Sequence, residues 1–217
     1  MEKIKHHLTD EILMAYSAGT LPEAFNLVVA THISLCDECR AAADSYDALG
    51  GAVLEDQEVV TISDGALKAT LKLISEMPKD AIKTMHARKP GIFPAPLQDY
   101  VGGDADSVEW RSVGMGVKQA VLKTSKEASV RLLYIPAGVA MPDHSHKGKE
   151  MTLVLQGAFS DEDGRFARGD IEIADQELHH HPVAEEGEDC ICLTATDAPL
   201  KFNSLIDRKS TRLNSSH

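Results

Sequence analysis

The chain has 217 residues, 22 Lys+Arg against 34 Asp+Glu, a formal net charge of −12 and 43% hydrophobic residues, the profile of a globular protein with one large or two small domains. Its acidity argues against direct nucleic-acid binding, which needs surplus Lys and Arg to neutralise phosphate, and suits a basic protein partner. There is no apolar run of about 18 residues, which predicts no membrane span, and MEKIKHHLTD has no apolar signal-peptide core; 4 Cys beside 10 His read as metal chemistry in a cytoplasmic protein, not a disulfide scaffold.

Residues 1–85 read as helical. Thr9-Asp10 is placed to cap a first helix over Glu11–Ala18, with Gly19 as its stop. Leu21-Pro22-Glu23 opens a second, in which Phe25, Val28, Val29, His32 and Ile33 follow helical spacing. A third is expected from Cys36-Asp37-Glu38-Cys39 to about Leu49, ending at Gly50-Gly51. A fourth, from Ser63 to about Met77, sets Leu67, Leu71 and Ile74 on one face. Residues 86–96, HARKPGIFPAP, are Pro-rich and read as an extended linker. Beyond them the period becomes that of strands, at Val130–Ile135, Met151–Phe159 and Cys190–Ala195, broken by Gly, Pro and Asp clusters. Many short strands in 97–206 imply a sandwich or barrel. The expected fold class is α+β in two domains, helical then all-β.

Two constellations carry chemistry. In His32-x3-Cys36-x2-Cys39, a His closing one helix and two Cys flanking the first turn of the next can converge on one point. Helix-start N–H groups favour thiolates there. A structural zinc takes four N or S ligands, so His6 or His7 is needed as the fourth; a redox dithiol is the competing reading. The second constellation is Gly138-x5-His144-x-His146-x3-Glu150-x6-Gly157, which matches the first cupin motif at every spacing. His144 and His146 share one strand face, and Glu150 returns to it after the Lys147-Gly148-Lys149 turn. A further ligand is expected from Leu178-His179-His180-His181-Pro182. A site of three His and one Glu accepts several metals. The second motif lacks the usual PxG, with Asp175-Gln176-Glu177 in its place, which weakens a catalytic reading; Glu177 can support a His ligand from behind. Cys190 and Cys192 alternate on one strand face, poorly placed for a disulfide, and read as buried core or as an oxidant-sensitive pair.

At these residues the chain resembles the ChrR-type anti-sigma factors, in DEILMAYSAGTL, in EAFNLVVATHISLCDECRA and through the cupin-like half, over about residues 1–206. The resemblance implies a zinc-binding anti-sigma domain in 1–85 with ligands His7, His32, Cys36 and Cys39. It implies a cupin (double-stranded β-helix) sensor in 97–206 with metal ligands His144, His146, Glu150 and His180, zinc in each domain, and no enzyme activity. The partner would be an extracytoplasmic-function (ECF) type sigma factor, bound 1:1 and released on singlet-oxygen or organic-peroxide stress. Leu13, Tyr16, Phe25, Val28 and Val29 are candidates for the sigma-binding face, with the core of the domain itself as the competing place for at least half of them. The alternatives are a dioxygenase-like cupin enzyme with a structural zinc domain, and a redox regulator working through Cys36 and Cys39 alone. Residues 207–217, DRKSTRLNSSH, match a translated sequencing adapter and are expected to be non-native. Without their three basic residues and one acidic residue the net charge moves from −12 to −14.

Overall fold

The computed structural model describes residues 3–77, 90–141, 144–145, 148–174, 179–198 and 201–202, with the backbone alone for 144–145, 179–180 and 201–202. Helix α1 spans Asp10–Ser17, and Thr9 caps it by accepting a hydrogen bond from the Ile12 amide at 3.4 Å. Gly19, at φ 66°, turns the chain out of it. Helix α2, Glu23–Ile33, buries Ala24, Phe25, Leu27, Val28, Val29, Thr31 and His32, which is more than one face. Helix α3 spans Asp37–Glu55 with Cys36 as its N-cap. It therefore runs through Gly50-Gly51, where the sequence places its end. Two helical glycines cost about 1 kcal/mol each, and on this exposed stretch the intact hydrogen-bond ladder outweighs that. Helix α4, Ala66–Glu76, buries no residue at all.

The described end of the Pro-rich run is packed in place and does not hang as a tether. The Ile92 and Phe93 amides donate to the Asp104 carboxylate at 2.9 and 2.8 Å. Phe93 and Leu97 are fully buried. Pro94 then caps α5, Ala95–Val101, a short helix the strand periodicity does not announce. Residues 86–89 lie outside the described residues.

The rest is β-structure: β1 Arg111–Gly114, β2 Val117–Leu122, β3 Ser129–Ile135, β4 His144–Ser145, β5 Glu150–Gln156, β6 Ala158–Asp161, β7 Gly164–Ala167, β8 Ile171–Ala174, β9 His179–His180, β10 Val183–Ala184, β11 Cys190–Thr196 and β12 Lys201–Phe202. A six-stranded sheet has the order β1-β2-β3-β11-β5-β8, and two three-stranded sheets the orders β10-β6-β7 and β12-β4-β9. The expected run Met151–Phe159 is two strands. Gly157, at φ 65°, breaks it, and a Cβ there would meet the Asp189 carbonyl oxygen at 2.7 Å.

Alternation sorts the large sheet into two faces. Glu150, Thr152 and Val154 of β5, with Cys190, Cys192 and Thr194 of β11, look inward. Met151, Leu153 and Leu155, with Ile191, Leu193 and Ala195, look outward and form one core with α1, α2 and the start of α3. Helix α2 lies across β3, β11 and β5 and against α5. Helices and barrel thus follow one another in the sequence as expected and share a single apolar layer. Four of the apolar residues proposed from sequence to face a partner, Leu13, Phe25, Val28 and Val29, are buried in this layer, and Tyr16 packs on it half-buried. They hold the chain's own fold.

Candidate metal centre

Three elements converge below the C-terminal end of α2. His32 closes that helix, and the Leu35 and Cys36 amides both donate to its carbonyl at 2.9 Å. This tight turn delivers Cys36 to the N-cap of α3, where its sulfur accepts from the Cys39 amide at 3.5 Å. The extended N-terminal segment brings in His7, whose Nδ1 lies 3.3 Å from Cys36 Sγ and 3.6 Å from Cys39 Sγ. One donor atom from each of His7, His32, Cys36 and Cys39 falls within 4.8 Å of the others. The N···S edge of a tetrahedral zinc site, from Zn–N near 2.05 Å and Zn–S near 2.3 Å, is about 3.5 Å, so the sulfur–nitrogen spacings fit that ion.

The electrostatics of His32 point the same way. The ring is fully buried, and its Nδ1 sits 3.0 Å from the Gly169 carbonyl oxygen. A carbonyl only accepts, so Nδ1 carries the proton and Nε2 keeps its lone pair. Among the described residues, that Nε2 is the buried side-chain nitrogen or oxygen without a partner, and it belongs to the four-donor group. An unpaired buried acceptor is costly unless a ligand takes it. Burial drives the His32 pKa down to about 4, so the ring is neutral at pH 7, as a ligand must be. Burial also pushes the Cys39 thiol up to about 11, the Cys36 sulfur adding to it. At Cys39 burial outweighs the pull of the helix start toward a thiolate; a bound cation would reverse the balance. His7 is oriented from behind, its Nε2 lying 3.6 Å from Glu38, the carboxylate–histidine pairing common behind zinc ligands. His6 packs instead on Phe166, ring centres 4.3 Å apart and tilted by 36°, which takes it out of the group. Spacing alone left His6 and His7 open.

The second constellation is described in part. Glu150 opens β5, buried and facing the barrel interior, with the Thr152 hydroxyl donating to it at 3.5 Å. His144 and His180 are direct register partners on β4 and β9. Their side chains, together with His146 and Glu177, lie outside the described residues. Sequence reasoning missed two further charged residues on the same interior face, Arg131 and the buried Glu172. They flank Thr194 and Thr152 across β3, β11, β5 and β8. Burial lowers the Arg131 pKa, with Glu150 opposing the shift. The signal was available, since charges at inward positions of a strand are rarely idle. Cys190 and Cys192 are free and buried, their sulfurs 3.5 Å apart. Their hydrogen bond and then burial raise the Cys192 thiol, with Glu172 and Glu150 adding to the effect. Among the described residues, no helix is long and apolar enough to cross a membrane.

Residues 98–199 match the family model of the ChrR cupin-like domain. Over 206 residues, covering 94% of this chain and 95% of the relative, the sequence is 56% identical to the anti-sigma-E factor ChrR of Cereibacter sphaeroides. The crystal structure of Rhodobacter sphaeroides SigE in complex with the anti-sigma ChrR matches 90% of this chain and all of that chain, at 55% identity and a TM-score of 0.79. Identity of this level along nearly the whole of both chains, with helices and cupin in the same order, means that the chain belongs to the family of the anti-sigma factor ChrR.

Proposed function

We propose that the chain is a cytoplasmic anti-sigma factor, regulatory and not enzymatic, that binds an ECF-type sigma factor 1:1 without touching DNA. The observation that carries this reading is α4. Leu67, Leu71 and Ile74 are 72%, 56% and 60% exposed, and Val59, Val60 and Ile62 before them are more exposed still. A helix that presents an apolar face and buries none of it has its partner elsewhere. Leu49 and Val53 on α3 and Met14 on α1 are exposed too and line a groove of about 460 Å³. The formal charge of −12 complements the basic surface a sigma factor needs for its nucleic acid, and speeds the encounter.

His7, His32, Cys36 and Cys39 would hold zinc, whose bonds would tie the N-terminal segment, α2 and α3 together. His144, His146, Glu150 and His180 would hold a second metal, zinc by the family resemblance, inside the barrel. The buried outer face of the large sheet supports a sensor role, because a change inside the barrel sits one strand away from α2. Release would follow singlet-oxygen or organic-peroxide stress. The domains would run 1–85 and 97–206, with 86–96 between them and 207–217 outside the native fold.

Co-expression with the cognate sigma factor, followed by light scattering and metal analysis of the purified complex, tests this. The expected result is a 1:1 complex carrying zinc. Cys39→Ser should lose both the N-terminal metal and the complex. A zinc-free Cys39→Ser protein with wild-type affinity would refute the structural role of the metal, and a wild-type chain that captures no sigma factor would refute the function.

A further inference from the structure

The ligand group borrows its support from the other half of the chain. Residues 3–9 form no helix or strand, yet they carry His7. They are held by the turn between β7 and β8. The buried Asp170 takes the Lys5 and His6 amides on Oδ1 at 2.6 and 3.0 Å, and the Ala167 amide on Oδ2 at 2.9 Å. The Ile171 amide donates to the His6 carbonyl at 3.3 Å. Gly169, the residue before Asp170, supplies the carbonyl that fixes the His32 tautomer, and Ile4 covers it.

We propose that Asp170 is a positioning residue of the N-terminal metal centre, so that the cupin barrel helps to hold the centre in shape. The inference rests on the reading that His7, His32, Cys36 and Cys39 hold a metal. His7 lies in no helix; buried Leu8 and the Thr9 cap hold the backbone after it and Glu38 faces its ring, which leaves the backbone before it to the barrel. That backbone is pinned at both Lys5 and His6 by one carboxylate. The same turn orients His32 through Gly169. One turn of the barrel thus sets both imidazoles, while the two sulfurs are set by α3. Asp170 also leads directly into β8, whose Glu172 faces the barrel interior, so the turn joins the two constellations independently of residues 86–96.

The test uses the full chain with Asp170→Asn and Asp170→Ala. Asn keeps one acceptor oxygen and the shape; Ala keeps neither. Cobalt replaces zinc, and the thiolate-to-cobalt absorption is assigned to the N-terminal site by its loss in Cys39→Ser. Affinity comes from competition with a zinc chelator. A partner bonded directly to a ligand is worth about 10–100-fold in metal affinity, and Asp170, which holds the backbone beside a ligand, is expected toward the lower end, at about 10-fold. Asp170→Ala is expected at the larger loss and Asp170→Asn at the smaller, both with the thiolate band present and with faster exchange of the Lys5 and His6 amides. Emission from Trp110, the single tryptophan, placed against Tyr134 of the barrel, reports that the barrel remains folded. Unchanged metal affinity in a folded Asp170→Asn and a folded Asp170→Ala would overturn the proposal and leave the metal reading standing. A wild-type chain with no thiolate band would overturn both.

Discussion

Truncation of α4 separates a partner surface from a core. Full burial of a Leu or Ile side chain is worth about 1.5–3 kcal/mol. Leu71 is 56% exposed, so covering what remains is worth about 1–1.5 kcal/mol, and Leu71→Ala should weaken sigma-factor binding about 5–10-fold. Leu67 and Ile74, at 72% and 60% exposure, lie along the same face. The triple Ala variant forfeits roughly 3–5 kcal/mol, or about two to four powers of ten in Kd. Its own fold should not notice, because exposed substitutions stay within about 0.5 kcal/mol and Ala is a good helix former. Isothermal titration against the sigma factor gives the first quantity, and urea unfolding of the free protein the second. An unchanged Kd in a metal-loaded triple variant would refute the reasoning. So would a stability loss of several kcal/mol, which would place these side chains in the chain's own core.

Two further expectations follow from buried groups. In chelator-treated protein, His32 has a folded pKa of about 4 against an ordinary value of 6.5. The unfolded chain therefore binds the proton first as pH falls. The stability linked to this ring is complete above about pH 6.5 and is lost progressively toward pH 4, by about 3 kcal/mol. Urea midpoints across that range should show the extra slope in the wild type and not in His32→Gln; equal slopes would contradict the burial argument. Gly157→Ala places a Cβ 2.7 Å from the Asp189 carbonyl oxygen at a positive φ of 65°. It should cost about 1–3 kcal/mol, and a loss below about 0.5 kcal/mol in urea unfolding would show that the β5–β6 break relaxes easily.

Much of this arrangement was legible in local pattern. The Thr9 cap, the Pro22 entry to α2 and the cysteines at the head of α3 are short-range signals, and the structure follows them. The end of α3 was misplaced because two glycines were weighed without the helix around them. The larger omission was the docking of α2 on the sheet. Its trace was present: MTLVL and CICLTA are apolar at both alternations, which marks strands covered on both faces. Phe25, Val28 and Val29 could be read from sequence as partner surface or as core, and the structure makes them core, since a helix apolar all round is one that its own protein encloses. The Asp170 carboxylate that holds the Lys5 and His6 amides carried no local signal, because it stands more than 160 positions away.

That separation has a consequence for how the protein is made. The Lys5 and His6 contacts with Asp170 span 165 and 164 positions, so the first metal-binding segment to leave the ribosome waits for one of the last strands. At about 5–20 residues per second, the wait is roughly ten to thirty seconds. Through that interval α1, α2 and α3 can meet early by local contacts, but the sheet that covers α2 and the turn that pins His7 have yet to be translated. A chain cut short before β8 would carry every N-terminal ligand and lack the turn that contacts the His6 backbone and the His32 ring.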